Sequence, residues 1–128
     1  MKMNYDKMSD FEINKAVSRL IAFGNYIVSD NEDQESVYLC EMDGGWDMLP
    51  IGCFDPCNNP SHSWPIIIGN NMTIELCDPN LGDTGTVTIY NPYGRDWQVD
   101  FNSNDKALRS AMICFLKMKH EDTNNDDT

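Results

Sequence analysis

The sequence predicts an α+β fold: a small, mostly antiparallel sheet packed with an N-terminal and a C-terminal amphipathic helix. Three observations carry that expectation. Apolar residues recur at helical spacing near both ends of the chain, they alternate at period two in the segments between, and clusters of Gly, Pro, Asn and Asp punctuate those segments. A chain of 128 residues, 41% apolar, suits one packed core. The expected organisation is a single domain over 1–119 followed by a disordered acidic tail over 120–128.

The first helix is expected over Asp10–Phe23. Ser9 and Glu12 have the spacing of a capping box, and Met8 and Ile13 that of a hydrophobic staple. Ile13, Val17, Leu20 and Ile21 form its apolar stripe, with Asn14, Lys15, Ser18 and Arg19 facing outward and Gly24 as the C-cap. Two short strands follow, Tyr26–Val28 and Val37–Cys40, joined by an acidic loop over Ser29–Ser36. Residues 50–65 read as irregular apart from one helical turn with Asn59 at the N-cap and Pro60 behind it. The run Ile66-Ile67-Ile68 fits either a strand or a continuation of that helix. Met72–Leu76 alternates as a strand. Val87–Tyr90 and Trp97–Phe101 make the clearest hairpin, turning through Asn91-Pro92-Tyr93-Gly94. The closing helix is expected over Lys106–Lys119, with Leu108, Ala111, Met112, Phe115 and Leu116 as its buried stripe.

Composition narrows the function classes. The formal charge is −12, and no Lys or Arg lies between Arg19 and Arg95. Duplex DNA is held by Lys and Arg at its phosphates, so this balance argues against a duplex-DNA partner. No apolar run reaches the roughly 20 residues of a membrane span, and the opening residues lack the pattern of a signal peptide. The expected location is the cytoplasm, with no membrane partner. Cys40, Cys53, Cys57, Cys77 and Cys114 are an odd number, expected as free thiols in a reducing compartment.

Three stretches resemble a known family. They are Met8-Ser9-Asp10-Phe11-Glu12-Ile13-Asn14-Lys15-Ala16-Val17, then Asp55-Pro56-Cys57-Asn58-Asn59-Pro60 with Trp64-Pro65-Ile66-Ile67, and finally Leu108-Arg109-Ser110-Ala111-Met112-Ile113. In this order they resemble the NinX-type proteins of lambdoid phages, a family of unknown function. The resemblance implies a small phage accessory protein acting inside a bacterial host. It supplies no catalytic residue to carry over.

The candidate binding residues come from two places. In the central stretch, Asn58, Asn59 and His62 offer polar contacts, while Trp64, with Trp46 before it, offers a stacking surface. The plainer reading is a Pro-braced structural loop with Trp64 as a core plug. In the second hairpin, Tyr93, Arg95 and Trp97 combine rings with the one cation of the region, as an anionic ligand requires. The plainer reading there is an exposed turn whose Arg95 pairs with Asp96 or Asp100. Cys53, Cys57 and His62 are a weak zinc set, completed by Cys40 or Cys77, because the usual second Cys pair is missing. No P-loop, G-x-S-x-G elbow or H-E-x-x-H is present, so no catalytic residue and no cofactor is assigned.

Two function classes remain. One is a non-enzymatic binding protein that sequesters a small anionic or nucleotide-like signal, a counter-defence role. Its shortage of bases would be offset by a second copy, so it is expected as a homo-oligomer. The other is an acidic inhibitor or adaptor that binds a host protein, with Asp30, Glu32, Asp33 and Glu35 as its contact. A small zinc- or thiol-dependent enzyme using Cys57 and His62 is the outside alternative.

Overall fold

The computed structural model describes residues 4–21, 26–43, 47–78, 80–82, 84–90 and 96–124. These form an α+β fold divided into two compact units, Met1–Asp55 and Pro56–Thr128. The strands make two small antiparallel sheets of three strands each among the described residues, where the sequence suggested one.

The first unit contains a 3-10 turn (Tyr5–Lys7), α1 (Asp10–Ser18), β1 (Ile27–Asn31), β2 (Ser36–Asp43) and β3 (Asp47–Cys53). The Ser9/Glu12 capping box is formed: Ser9 Oγ accepts from Glu12 N at 3.1 Å, and Ser9 N donates to Glu12 Oε1 at 3.3 Å. α1 buries Phe11, Ile13 and Val17 and packs on β2, the centre of the sheet β1-β2-β3. It ends at Ser18 rather than near Phe23, and Leu20 is 44% exposed. Gly24, the expected cap, lies outside the described residues.

Two side chains expected on the outer face of α1 are buried instead. Asn14 turns inward because its amide donates to Asp55 Oδ1 at 2.8 Å. Ser18 does so with its hydroxyl donated to the Lys15 carbonyl at 2.7 Å. A polar group enters a core when its hydrogen bond enters with it.

Within residues 50–65, read as irregular, β3 is a further strand. Pro50 pairs with Cys40 and Gly52 with Leu39, so the register shifts by one residue and leaves Ile51 as a bulge. Proline, glycine and a bulge suit an outer strand, which forgoes some ladder bonds and resists pairing with other sheets. The acidic segment tightens into the β1–β2 turn. Asn31 Oδ1 accepts from Gln34 N at 3.1 Å, Tyr38 donates its hydroxyl to Gln34 Oε1, and Glu35 takes a left-handed φ of 49°.

The second unit contains α2 (Pro60–Gly69), β4 (Met72–Glu75), β5 (Gly85–Ile89), β6 (Trp97–Phe101), a 3-10 turn (Asn104–Lys106) and α3 (Ala107–Asn124). The Ile66-Ile67-Ile68 run is therefore helical, and α3 runs on past Lys119. In the order β4-β5-β6, Met72 pairs with Ile89 and Ile74 with Val87; Val87 pairs with Val99 and Ile89 with Trp97. Side chains alternate across a pleat, so these residues share one apolar face, and Thr73, Glu75, Thr88, Gln98 and Asp100 occupy the other. α3 covers that apolar face with Ala111, Met112, Cys114, Phe115 and Leu116, all 2% exposed or less. The turn 91–94 lies outside the described residues. No described helix is long and apolar enough to cross a membrane.

Candidate binding groove

α2 is a helix that its own residues only weakly favour. Pro65 sits inside it without an N–H to donate, and three consecutive isoleucines lose side-chain freedom there. Its ends compensate. Asn59 Oδ1 accepts from Ser61 N at 2.9 Å, with Pro60 preset at the first helical position. At the other end Asn70 Nδ2 donates to the Ile66 carbonyl at 2.8 Å, and Asn71, at φ 52°, turns the chain into β4.

Between α2 and β4 lies an open groove of about 410 Å³, lined by Trp64, Ile67, Ile68, Asn71, Met72 and Ile74. Its origin is geometric. α3 packs mainly over β5 and β6 and touches β4 less, so the β4 end of the apolar face is only partly roofed. Met72 and Ile74 are half-buried there, beside Trp64, Ile67 and Ile68 at i, i+3 and i+4 of α2, with Asn71 in the turn after it. Ile67 is buried at 4% exposure, whereas Trp64 is 58% exposed and Ile68 56%. α2 thus buries one apolar face on Ile66 and Ile67 and leaves a second in solvent. The described lining offers a ring, aliphatic walls and one amide, and no charged side chain.

The candidate residues separate in space. His62 and Trp64 lie on α2 and Asn59 caps it, and Trp64 alone of them lines the groove. Asn59 Nδ2 lies 3.5 Å from His62 Nε2, while exposed Asn58 precedes the cap. Trp97 is buried in the sheet face, where its carbonyl accepts from Cys114 Sγ at 3.5 Å. Trp46, Tyr93 and Arg95 lie outside the described residues. Cys53 is exposed at the end of β3, Cys57 is buried and His62 half-buried. Among the described residues no group of three or more His, Cys, Asp or Glu side chains is placed to hold a metal ion. Sequence reasoning did not single out Ile68, Met72 or Ile74 for binding. Their apolar pattern is that of core residues, and their half-exposure follows from the reach of α3.

A second concavity, about 370 Å³, lies on the first unit's sheet among Ser29, Asp30, Asn31, Gln34, Tyr38, Cys40 and Pro50. Within it Tyr38 donates its hydroxyl to Gln34 Oε1, and Asn31 Oδ1 accepts from Gln34 N. Cys114 is the chemically perturbed thiol: burial pushes it up to about 11, against smaller lowering effects of Lys117 and a backbone hydrogen bond. It is fully buried, so it is a core residue rather than a nucleophile at a surface.

These features define a small α+β protein with two sheet-bearing units and an apolar groove on the second. The model of the family "Bacteriophage P22, NinX" matches residues 4–119, and the chain belongs to that family. No curated protein and no solved structure matches it.

Proposed function

We propose that this phage protein acts without catalysis, as an accessory protein that binds a host protein by taking one of its large apolar side chains into the α2–β4 groove. The observation that carries this reading is the exposure of Trp64 and Ile68, one helical turn apart, on the rim of that groove. Apolar surface held in water at a capped helix is unfavourable for the free protein and is recovered when a partner covers it. Tryptophan with aliphatic neighbours is also the composition of energetically dominant contacts in protein interfaces.

The sequestration of a nucleotide-like signal has less support. Trp64 and Asn71 could stack on and hydrogen-bond a base, but the described lining carries no Lys or Arg for a phosphate. The experiment is site-specific photo-crosslinking from position 68 in infected cells, with a probe at Gln98 on the polar sheet face as control. A discrete host-protein adduct is expected from position 68, absent from position 98 and lost with Trp64→Ala. The same adducts from both positions would sink the proposal.

A further inference from the structure

We infer that the host segment enters the groove as an extended strand, adding itself to the free edge of β4 and directing alternate apolar side chains beneath α2. This rests on the groove reading and adds the conformation of the partner. Among the described residues β4 pairs with β5 alone. A strand paired on one side turns the N–H and C=O of every second residue away from the sheet, so β4 presents unused donors and acceptors along its outer side. Natural sheets guard such edges with Pro, Lys or a bulge. β3 has Pro50 and the bulge at Ile51, whereas β4 (Met72-Thr73-Ile74-Glu75) has none of these and pairs with β5 in unbroken register. β6, the opposite edge, is equally plain, but its Trp97, Val99 and Phe101 are buried, so no exposed apolar side chain on it would hold a guest.

The helices above the sheet mark where a further strand fits. Met72 and Ile74 face the same side as Val87 and Ile89, the side that α3 covers. α2 lines the groove with Met72 and Ile74 and packs against α3, so both helices lie on that side. Neighbouring helices stand about 8–10 Å apart and neighbouring strands about 4.8 Å, so a pair of helices covers about four strands. This sheet has three. α3 lies mainly over β5 and β6, which leaves α2 for β4 and the position beside it, overhung by Trp64 and Ile68. A strand placed there brings its residues i and i+2 alongside Met72 and Ile74, at the roughly 5 Å of cross-strand neighbours.

That geometry selects among occupants. A helix would leave the edge of β4 unpaired, because its backbone groups are already bonded within it. Six residues line the groove, against roughly 20–30 a side in a stable interface, so it fits one inserted segment rather than a second folded copy. A second copy would also bring another charge of −12 against the first. The occupant is thus an extended segment of another protein with large apolar residues at alternate positions. Main-chain bonds to β4 supply affinity, and the groove selects the side chains.

The test uses the full chain and two fluorescein-labelled peptides of one composition, read by fluorescence anisotropy. One alternates Leu and Phe with Thr; the other regroups the same residues so that Leu and Phe fall at i, i+3 and i+4. The alternating peptide is expected to bind about tenfold or more tightly than the regrouped one. Its binding should be lost in Trp64→Ala, whose folding is checked by circular dichroism. In its complex, amide hydrogen exchange should slow about tenfold or more at alternate residues of β4, either Met72 and Ile74 or Thr73 and Glu75. Binding that Trp64→Ala abolishes but that leaves exchange in β4 unchanged overturns the added strand and leaves the groove reading intact. Equal or tighter binding of the regrouped peptide, also abolished by Trp64→Ala, has the same consequence. Binding that survives Trp64→Ala overturns the groove itself, and so does a failure of both peptides to bind. A doubled mass in sedimentation equilibrium that Trp64→Ala reverses makes a second copy the occupant and overturns the host-protein reading.

Discussion

At Asn59 one side chain secures the start of the groove helix. Its Oδ1 accepts from Ser61 N, while its own carbonyl accepts from the amides of His62 at 3.0 Å and Ser63 at 3.2 Å. Removing the side-chain acceptor with Asn59→Ala should cost about 1 kcal/mol, read as a lower urea midpoint with an unchanged slope. Asn59→Asp keeps an acceptor and places a negative charge at the helix N-terminus, so it should be neutral or mildly stabilising. A loss equal to that of Ala would show that the cap is not what matters there. Cys114 supports a pH prediction at the same scale. Its folded pKa of about 11 lies above the ordinary 9.0, because burial opposes the thiolate. In that interval the unfolded chain has released a proton that the folded chain still holds, so stability falls as pH rises from about 9 towards 11. Tyr5, whose phenol burial also raises, contributes in the same direction. Urea midpoints measured across this range should drop, and Cys114→Ala should shallow the decline. A decline identical in the variant would assign it elsewhere.

At the scale of elements, the pair β5–β6 is fitted around one missing side chain. A Cβ on Gly85 would stand 2.3 Å from Phe101 Cε2 and 2.7 Å from the Glu75 carbonyl, and Phe101 is itself buried. Gly85→Ala should therefore destabilise by roughly 1–3 kcal/mol through overpacking. In a Phe101→Leu background the same change should cost less, since the smaller side chain yields. Strict additivity in that double-mutant cycle would refute the steric account. Elements of this kind were legible where their causes are local. The capping box at Ser9 and Glu12, the Asn59-Pro60 helix start and the alternation of the last hairpin each lie within a few residues of what they specify. β3 was not legible, because Pro50, Gly52 and the bulge at Ile51 remove the alternation that marks a strand. The inward turn of Asn14 was hidden because its partner Asp55 is distant in sequence. The groove was half legible. Trp64 stood out by chemistry, but Ile68, Met72 and Ile74 become a binding surface only through the incomplete cover of α3, which no local pattern encodes.

At the scale of the whole molecule the governing quantity is charge. With 21 acids against nine bases, the folded chain gathers like charges that the expanded chain holds further apart. Added salt acts on two opposed terms. It weakens favourable pairs such as Lys15–Glu32, 2.5 Å apart, and it weakens the general repulsion. The pair lies at the surface, its Glu32 side chain 66% exposed, and an exposed pair contributes only about 0–1 kcal/mol before screening. Repulsion among the excess carboxylates is spread over the whole chain and should prevail. Raising NaCl from about 50 to about 500 mM should therefore increase the thermal midpoint at pH 7 by several degrees. Converting Asp30, Asp33 and Glu35 to their amides should raise the midpoint at low salt and reduce the response to salt. A midpoint that falls with salt would make specific ion pairs the dominant electrostatic term. The acidic balance would then act on association and solubility alone.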